Sequence, residues 1–362
     1  MNKELIEKYA DEWKQIGEYY SPWGKDVRDP MRNYPITERE NFVKLLNHQK
    51  PVYMPVITDM LPFAPKLIVD NYVRAWALEV DCCLPGSDCP GGKDMFGVQW
   101  DYVPVTAGSM VRGGNPLVKD ITRWEDYVKF PDLDALDWEG SARNNEKLFS
   151  ERRMNRVWVM NGLNERLISF MDFTNTLVAY VDEEQKAGVH RLFDRLCVFY
   201  DDLFERFHRY YHCDVIMFND DWGTQRGPQF SPDTAREMLM PYMKRLTESC
   251  HKRGMYFELH CCGKNDMLAP VIADCGVDIW LPQENVNDYE LLYRLIGDRV
   301  FLAFPTDSTP EMSDEEAWGS AERYFNTFAK YGNVILNTTF PIQHPRIAEF
   351  LYYMTREAYA EE

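Results

Sequence analysis

From about residue 157 onward, short apolar runs alternate with longer amphipathic stretches. Residues 157–161 (VWVMN), 214–219 (DVIMFN), 255–260 (MYFELH), 277–281 (VDIWL), 300–304 (VFLAF) and 334–337 (VILN) read as buried strands. The intervening sequence is helical in period. One stretch runs through about Asp182 and a longer one through Tyr211. Another opens on Ser231 and Pro232, an N-cap followed by a first-turn proline, and continues to about Arg253. A further helix spans about Asp266 to Asp274, and residues 51–57 (PVYMPVI) predict one more strand upstream. Strands that are apolar on both faces and alternate with helices indicate an α/β fold with a parallel sheet. The chain of 362 residues suits a (β/α)8 TIM barrel. We expect an N-terminal helical extension over residues 1–45 and a barrel domain over 46–362. A doubly wound open sheet is the alternative, but the glycine-rich fingerprint of its dinucleotide-binding form is absent. Residues 81–115, rich in Gly, Pro and Asp, predict loops and short strands, and 131–138 a connector.

Composition narrows the partners. Lys and Arg total 40 against 58 Asp and Glu, a formal charge of −18, which disfavours nucleic acid and anionic membrane surfaces. No apolar run approaches a membrane span, and the charged N-terminus lacks a signal-peptide stretch, so a cytoplasmic location is expected. Nine cysteines in a reducing compartment are thiols or metal ligands before they are disulfides. Cys82, Cys83 and Cys89 match no common zinc spacing and read as structural.

In a parallel barrel, chemistry belongs at the carboxyl ends of the strands, and polar residues collect there. Asn161 ends one strand, with Glu165 soon after. Asp220, Asp221 and Trp222 follow another, His260 and Cys262 a third, Gln283 and Glu284 a fourth, and Asp307 a fifth. Residues two apart on a strand point to the same side, so His260 and Cys262 converge as an imidazole and a thiol, a pair suited to zinc. A buried histidine beside a structural cysteine is the competing reading. Two ligands do not make a site, and Glu284, Asp307, Asp220 and His344 are the candidates for a third. Glu258, one step deeper on the same face, reads as a barrel-interior group. Of Asp220 and Asp221, adjacent residues pointing apart, one is expected to enter the pocket, and Asp220 is preferred. Trp222 either lines a pocket for a flat ligand or packs in the core.

Several of these residues fall in motifs resembling the uroporphyrinogen decarboxylase superfamily. They are residues 219–223 (NDDWG), 231–234 (SPDT), 241–245 (PYMKR), 251–254 (HKRG), 260–263 (HCCG) and 276–278 (GVD). Residues 94–100 (DMFGVQW), 131–134 (PDLD) and 334–337 (VILN) extend the resemblance over nearly the whole chain after about residue 40. It implies a (β/α)8 barrel. Uroporphyrinogen decarboxylases bind a polycarboxylate through arginines after the first strand, where this chain reads TDMLP at 58–62, without arginine. The corrinoid-dependent methyltransferases of the superfamily hold zinc on a His-X-Cys pair and a later cysteine. His260 and Cys262 match the pair, but residues 337–340 (NTTF) contain no cysteine. An oxygen ligand or His344 would take its place, giving a mixed donor set that still suits zinc.

The resemblance to that branch implies a methyltransferase. It would move a methyl group between a small O- or N-methylated compound and the cobalt of a methylcobamide on a separate corrinoid protein. His260, Cys262 and Glu284 or Asp307 would bind zinc. Asp220 and Asn161 are the expected catalytic residues, with Asp221, Trp222, Gln283 and His344 at the substrate. A homodimer through the outer helices is compatible with such a barrel. The alternatives are a metal-free decarboxylase and a degenerate barrel that only binds a ligand.

Overall fold

The structure, a computed structural model, describes residues 1–84, 89 and 91–360. Seven parallel strands form its central sheet, labelled β1 to β7 in chain order: Leu61–Phe63, Asn155–Val159, Val215–Asn219, Tyr256–Cys261, Ile279–Pro282, Phe301–Phe304 and Val334–Leu336. Each pairs with its neighbours in sequence order, from β1 at one edge to β7 at the other. The sheet curls until its edges approach, and the chain just before β1 meets β7 at one parallel bridge, Val56 with Leu336. The fold is therefore barrel-like with seven strands among the described residues, where eight were expected.

The missing ladder has a local cause. Residues 51–57 carry prolines at 51 and 55, which have no N–H to give a neighbouring strand. The one ladder bond here uses the Pro55 carbonyl, which accepts from the Leu336 N–H at 2.9 Å. The chain then turns through a 3-10 helix at Ile57–Asp59.

Alternation along the strands sorts the side chains as the pattern predicts. Val157, Ile216, Phe218, Phe257, Leu259 and Trp280 pack outward against the helices. Val215, Ile279, Phe301 and Ala303 fill the interior. Above them Trp158, Met160 and Met217 form a separate cluster with Ala64 and Leu78. Glu258 is fully buried and accepts from Arg156 Nε at 2.6 Å, an ion pair inside the sheet's curl. A charge without water must be paired, and this one is.

Two expectations on helices need correction. The stretch after Ser231 is two helices, Pro232–Met238 and Met240–His251, because Pro241 cannot donate the hydrogen bond that would join them. The N-terminal extension is not all helical. Between helices Lys3–Tyr9 and Glu38–Leu46 lies an antiparallel hairpin of Gln15–Tyr20 and Arg28–Arg32, in a stretch broken by Gly17, Gly24 and Pro30. Arg153 fastens the hairpin, donating to Asp29 at 2.8 Å with its guanidinium 4.2 Å from the centre of the Tyr19 ring.

Within residues 81–115, of which 85–88 and 90 lie outside the described residues, a three-stranded antiparallel sheet forms from Gly92–Lys93, Gln99–Val103 and Gly108–Val111. Its anchor is Asp94. One carboxylate oxygen accepts from the N–H groups of Phe96 and Val98, and the other from the Trp100 indole, all at 2.9 Å. The second oxygen also accepts from Arg166 at 2.6 Å, and Arg166 pairs with Asp70 as well. Arg166 and the Asp94 side chain are wholly buried. No helix among the described residues is long and apolar enough to cross a membrane.

Removing one member of a buried ion-pair network strands the others without water. Arg166→Met is expected to cost about 3–5 kcal/mol in urea unfolding. Arg112→Met, which breaks the exposed pair with Asp101, is expected to cost under ~1 kcal/mol. Equal losses in the two variants would contradict the assignment of Arg166 as the anchor.

Candidate metal centre at the carboxyl ends of the strands

The site begins with a helix that cannot cap itself. Helix Leu163–Met171 follows β2, and its N-cap residue is Gly162, which has no side chain to accept the first free N–H groups. Asp220, just past the end of β3, does so instead. Its carboxylate accepts from Glu165 N at 2.9 Å, from Asn164 N at 3.2 Å and from the Trp222 indole at 2.8 Å. The two elements are so close that a Cβ on Gly162 would lie 2.3 Å from the Cβ of Asp220. Glycine is required here by space, not by backbone angle.

This corrects the expectation for the acidic pair. Asp220 is fully buried in a structural role, and Trp222, also fully buried, serves as its partner and packs toward Phe230 instead of lining a pocket. Asp221 is the one that enters the site. Strand parity accounts for this, since Asn219 pairs in register with the inward-facing His260, and two residues later the chain again faces inward.

Asp221, His260 and Cys262 bring one carboxylate oxygen, one imidazole nitrogen and one sulfur within 4.8 Å of one another. His260 Nε2 is 3.3 Å from Cys262 Sγ, while its Nδ1 is buried without a hydrogen-bond partner. The Cys262 N–H donates to Asp221 Oδ1 at 2.8 Å, fixing the carboxylate against the pair. Burial, with the charge of Asp221 added, pushes the Cys262 thiol well above its ordinary value. His260 Nε2 and Cys262 Sγ are thus in hydrogen-bond contact, and with Asp221 they form a group of three donors that could hold a cation. Nitrogen, sulfur and oxygen donors on adjacent strand ends are a set that zinc accepts.

The other expected ligands lie elsewhere. Asp307 turns outward to Ser320 and to Arg323, whose Nη2 donates at 2.7 Å. Glu284 precedes Asn285, whose φ of +64° redirects the loop, and it is not part of the donor group. His344 is buried against Phe350 with Asp314 at 3.6 Å, also outside the group. Gln283 holds the loop after β4, accepting from Gly263 N at 2.6 Å and from Gln225 at 3.2 Å.

Beside the donor group opens a cleft of about 610 Å³, lined by Asp221 and Glu165 on the strand side and by Trp100 and Ser109 from the 92–111 sheet. Glu165 is the prominent residue here. It accepts from Asn219 Nδ2 at 2.6 Å and from both terminal nitrogens of Arg74 at 3.1 Å. Arg74 also donates to Asn161 Oδ1 at 2.6 Å, and the Asn161 main-chain carbonyl accepts from the Tyr200 hydroxyl at 2.5 Å. Asn161 thus stands behind the cleft as a support for Arg74. Burial raises the Glu165 carboxyl to about 8, against the pull of Arg74 and with the push of Asp221 and Asp220. Burial likewise lifts Asp220 to about 6, opposed by the hydrogen bonds it accepts. No sequence motif marks Arg74. Only its tertiary placement reveals it.

The fold and site thus define an α/β barrel-like protein with a three-donor cluster at the carboxyl ends of its strands. Residues 168–302 match the family described as uroporphyrinogen decarboxylase (URO-D), a span that contains Asp221, His260 and Cys262. The matched stretch is under half of the chain, and the likeness to the uroporphyrinogen decarboxylase superfamily is stated for that stretch. No curated protein sequence matches the chain. Among solved structures, D-psicose 3-epimerase from Clostridium cellulolyticum H10 is similar at 10% identity with a TM-score of 0.34, over 62% of this chain and 80% of that one. The spore cortex-lytic enzyme SleL of Bacillus megaterium QM B1551 is similar at 8% identity and 0.32, over 67% and 66%. These likenesses are too slight to bear on the site.

Two outcomes are expected. In metal-free protein the folded chain holds the Glu165 proton more tightly than the unfolded chain does, so this residue's contribution is best at low pH. Stability falls as pH rises from about 4.5 to about 8. Glu165→Gln should flatten that part of the urea-midpoint profile, and a slope identical to the parent's would refute the burial assigned to this carboxyl. Gly162→Ala should cost about 1–3 kcal/mol by forcing Asp220 away from the helix. A melting temperature unchanged from the parent's would mean that the contact relaxes freely.

Proposed function

We propose that the chain is a zinc-dependent methyltransferase, moving a methyl group between a small O- or N-methylated substrate and the cobalt of a separate corrinoid protein. The convergence of Asp221, His260 and Cys262 carries this reading. Asp221, on the neighbouring strand end, would be the third ligand that a His-X-Cys pair needs. A zinc ion held there would polarise a substrate oxygen or nitrogen as a Lewis acid.

The chain's own groups account for the rest. With a carboxyl raised to about 8, Glu165 holds a proton at neutral pH at the wall of the cleft. When a carbon–oxygen bond breaks and its electron pair stays on oxygen, that proton is within the same cleft to neutralise the leaving alkoxide. Asp220 keeps Glu165 and Asp221 in place from behind. The cleft and donor group open at the carboxyl ends of the strands, so a corrinoid protein would dock on that face.

A second reading, decarboxylation without metal, is favoured by Arg74, a cation in the cleft wall that a substrate carboxylate would seek. The two separate on metal. Under methyl transfer, purified protein supplied with zinc carries near-stoichiometric metal by mass spectrometry, and Asp221→Ala, His260→Ala and Cys262→Ala each lose it. Glu284→Ala and Asp307→Ala keep it. Transfer then requires the corrinoid protein and stops on chelation. Metal-free parent protein that releases carbon dioxide after chelation would replace this reading with the decarboxylase.

A further inference from the structure

We infer that Asn265 is the positioning residue of the donor group. Its side-chain amide pins the turn that carries Cys262 against the turn that carries Asp221, and so sets the spacing a divalent cation would meet. The inference rests on the metal centre proposed above and is indifferent to the reaction carried out there.

Asn265 lies three residues past Cys262 and is wholly buried. Its Nδ2 donates to the Cys262 carbonyl at 2.8 Å and to the Gly263 carbonyl at 3.1 Å, with Cys261 Sγ at 3.2 Å. Its own N–H donates to Asn287 Oδ1 at 2.8 Å. Asn287 Nδ2 in turn donates to the Gly263 carbonyl at 3.0 Å and to the Gln283 carbonyl at 2.9 Å, which ties the Cys262 turn to the end of β5.

The β3 end holds the same turn from the other side. The Cys262 N–H goes to Asp221 Oδ1 at 2.8 Å, and the Cys262 carbonyl accepts from the Gly223 N–H at 3.2 Å as well as from Asn265. The Lys264 N–H donates to the Thr224 carbonyl at 2.8 Å. Gly263, at φ +87°, sits so close to Gly223 that a Cβ on it would lie 2.1 Å from the Gly223 carbonyl carbon. The two ligand-bearing turns are therefore one packed unit before any ion arrives. Removing the Asn265 amide deprives two main-chain carbonyls of a donor, a costly loss in a buried turn. The 262–263 peptide is then free to rotate toward another partner, and that rotation carries Cys262 Sγ away from Asp221 and His260. Groups that orient metal ligands from behind typically cost about 10–100-fold in metal affinity when removed.

The test is zinc affinity of the full chain by competition with a chromogenic chelator, with cobalt absorption as a second readout and urea unfolding of metal-free protein as the folding control. Asn265→Ala is expected to bind zinc about 10–100-fold more weakly than the parent and to lose intensity in the sulfur-to-cobalt charge-transfer band. Asn155→Ala is the structural comparison, since Asn155 is also a buried amide, donating to the Tyr211 and His212 carbonyls at 3.1 and 3.2 Å at the amino end of β2. It should lower the urea midpoint and leave zinc affinity and the cobalt spectrum as in the parent. Parent-like affinity in Asn265→Ala would overturn the inference. So would an equal loss in Asn155→Ala, which marks a general effect of destabilisation. Should Asn265→Ala fail to fold, Asn287→Ala, which takes the acceptor from the Asn265 N–H, carries the test. It should weaken zinc in the same direction, and unchanged affinity overturns the inference. A parent that binds no zinc would remove the metal reading and this inference with it, whereas a parent that binds zinc beside an unaltered Asn265→Ala would remove the inference alone.

Discussion

Asp220 is the residue on which the candidate site depends. It lies one position past β3, yet it caps a helix that follows β2, and the helix has no other side chain to cap it. That single carboxylate sets three things at once. It starts the Leu163–Met171 helix at the height that puts Glu165 on the cleft. It keeps the β3 end against the β2 end, closely enough to exclude any side chain on Gly162. By pointing away from the interior it leaves Asp221 to face His260 and Cys262. Burying a carboxylate is costly, and the expense is offset by two backbone N–H groups and an indole that would otherwise lack acceptors.

A second constraint is electrostatic. Asp221, Glu165 and Cys262 crowd acidic groups into one mouth, and burial disfavours the charged forms of Glu165 and Cys262. The structure answers in two ways. Arg74 stands against Glu165, and that carboxyl still retains its proton into the neutral range. Asp221 and Cys262 have no such cation beside them among the described residues, and they are the two that share a histidine. The raised Cys262 thiol keeps its proton, and a divalent cation would be a second means of balancing that pair.

Much of this was legible in the sequence, and the limits fall at identifiable places. Strand positions from residue 157 onward follow from apolar runs, since parallel strands are buried on both faces. The His260–Cys262 convergence follows from period two, and so does the interior place of Glu258. The same period, carried from Met217 through Asn219, selects Asp221 over Asp220, so the signal for the inward acid is present in the sequence. Parity fails once a turn intervenes. Asp307 and Glu284 are each only a few residues past a strand, but a turn has intervened, and Asp307 is claimed by Arg323 on a following helix. Residues 51–57 have the apolar character of a strand, but their two prolines deny them a ladder.

Arg74 marks the deepest limit. Nothing local distinguishes it from the other arginines, and its neighbours in the cleft come from the 92–111 sheet and the helix after β2. That sheet is carried into place by Asp94, Arg166 and Asp70, a buried network joining the excursion to the same helix that Asp220 caps. Arg166 follows Glu165 directly in the chain. One helix turn therefore faces the strand ends with Glu165 and the excursion with Arg166, and its start is fixed by Asp220. The candidate donor group and the Arg74 wall are thus positioned from a common point. A shift of that helix turn would displace both sides of the cleft together, which makes the spacing between the Arg74 side and the Asp221 side a property of the scaffold and not of flexible loops.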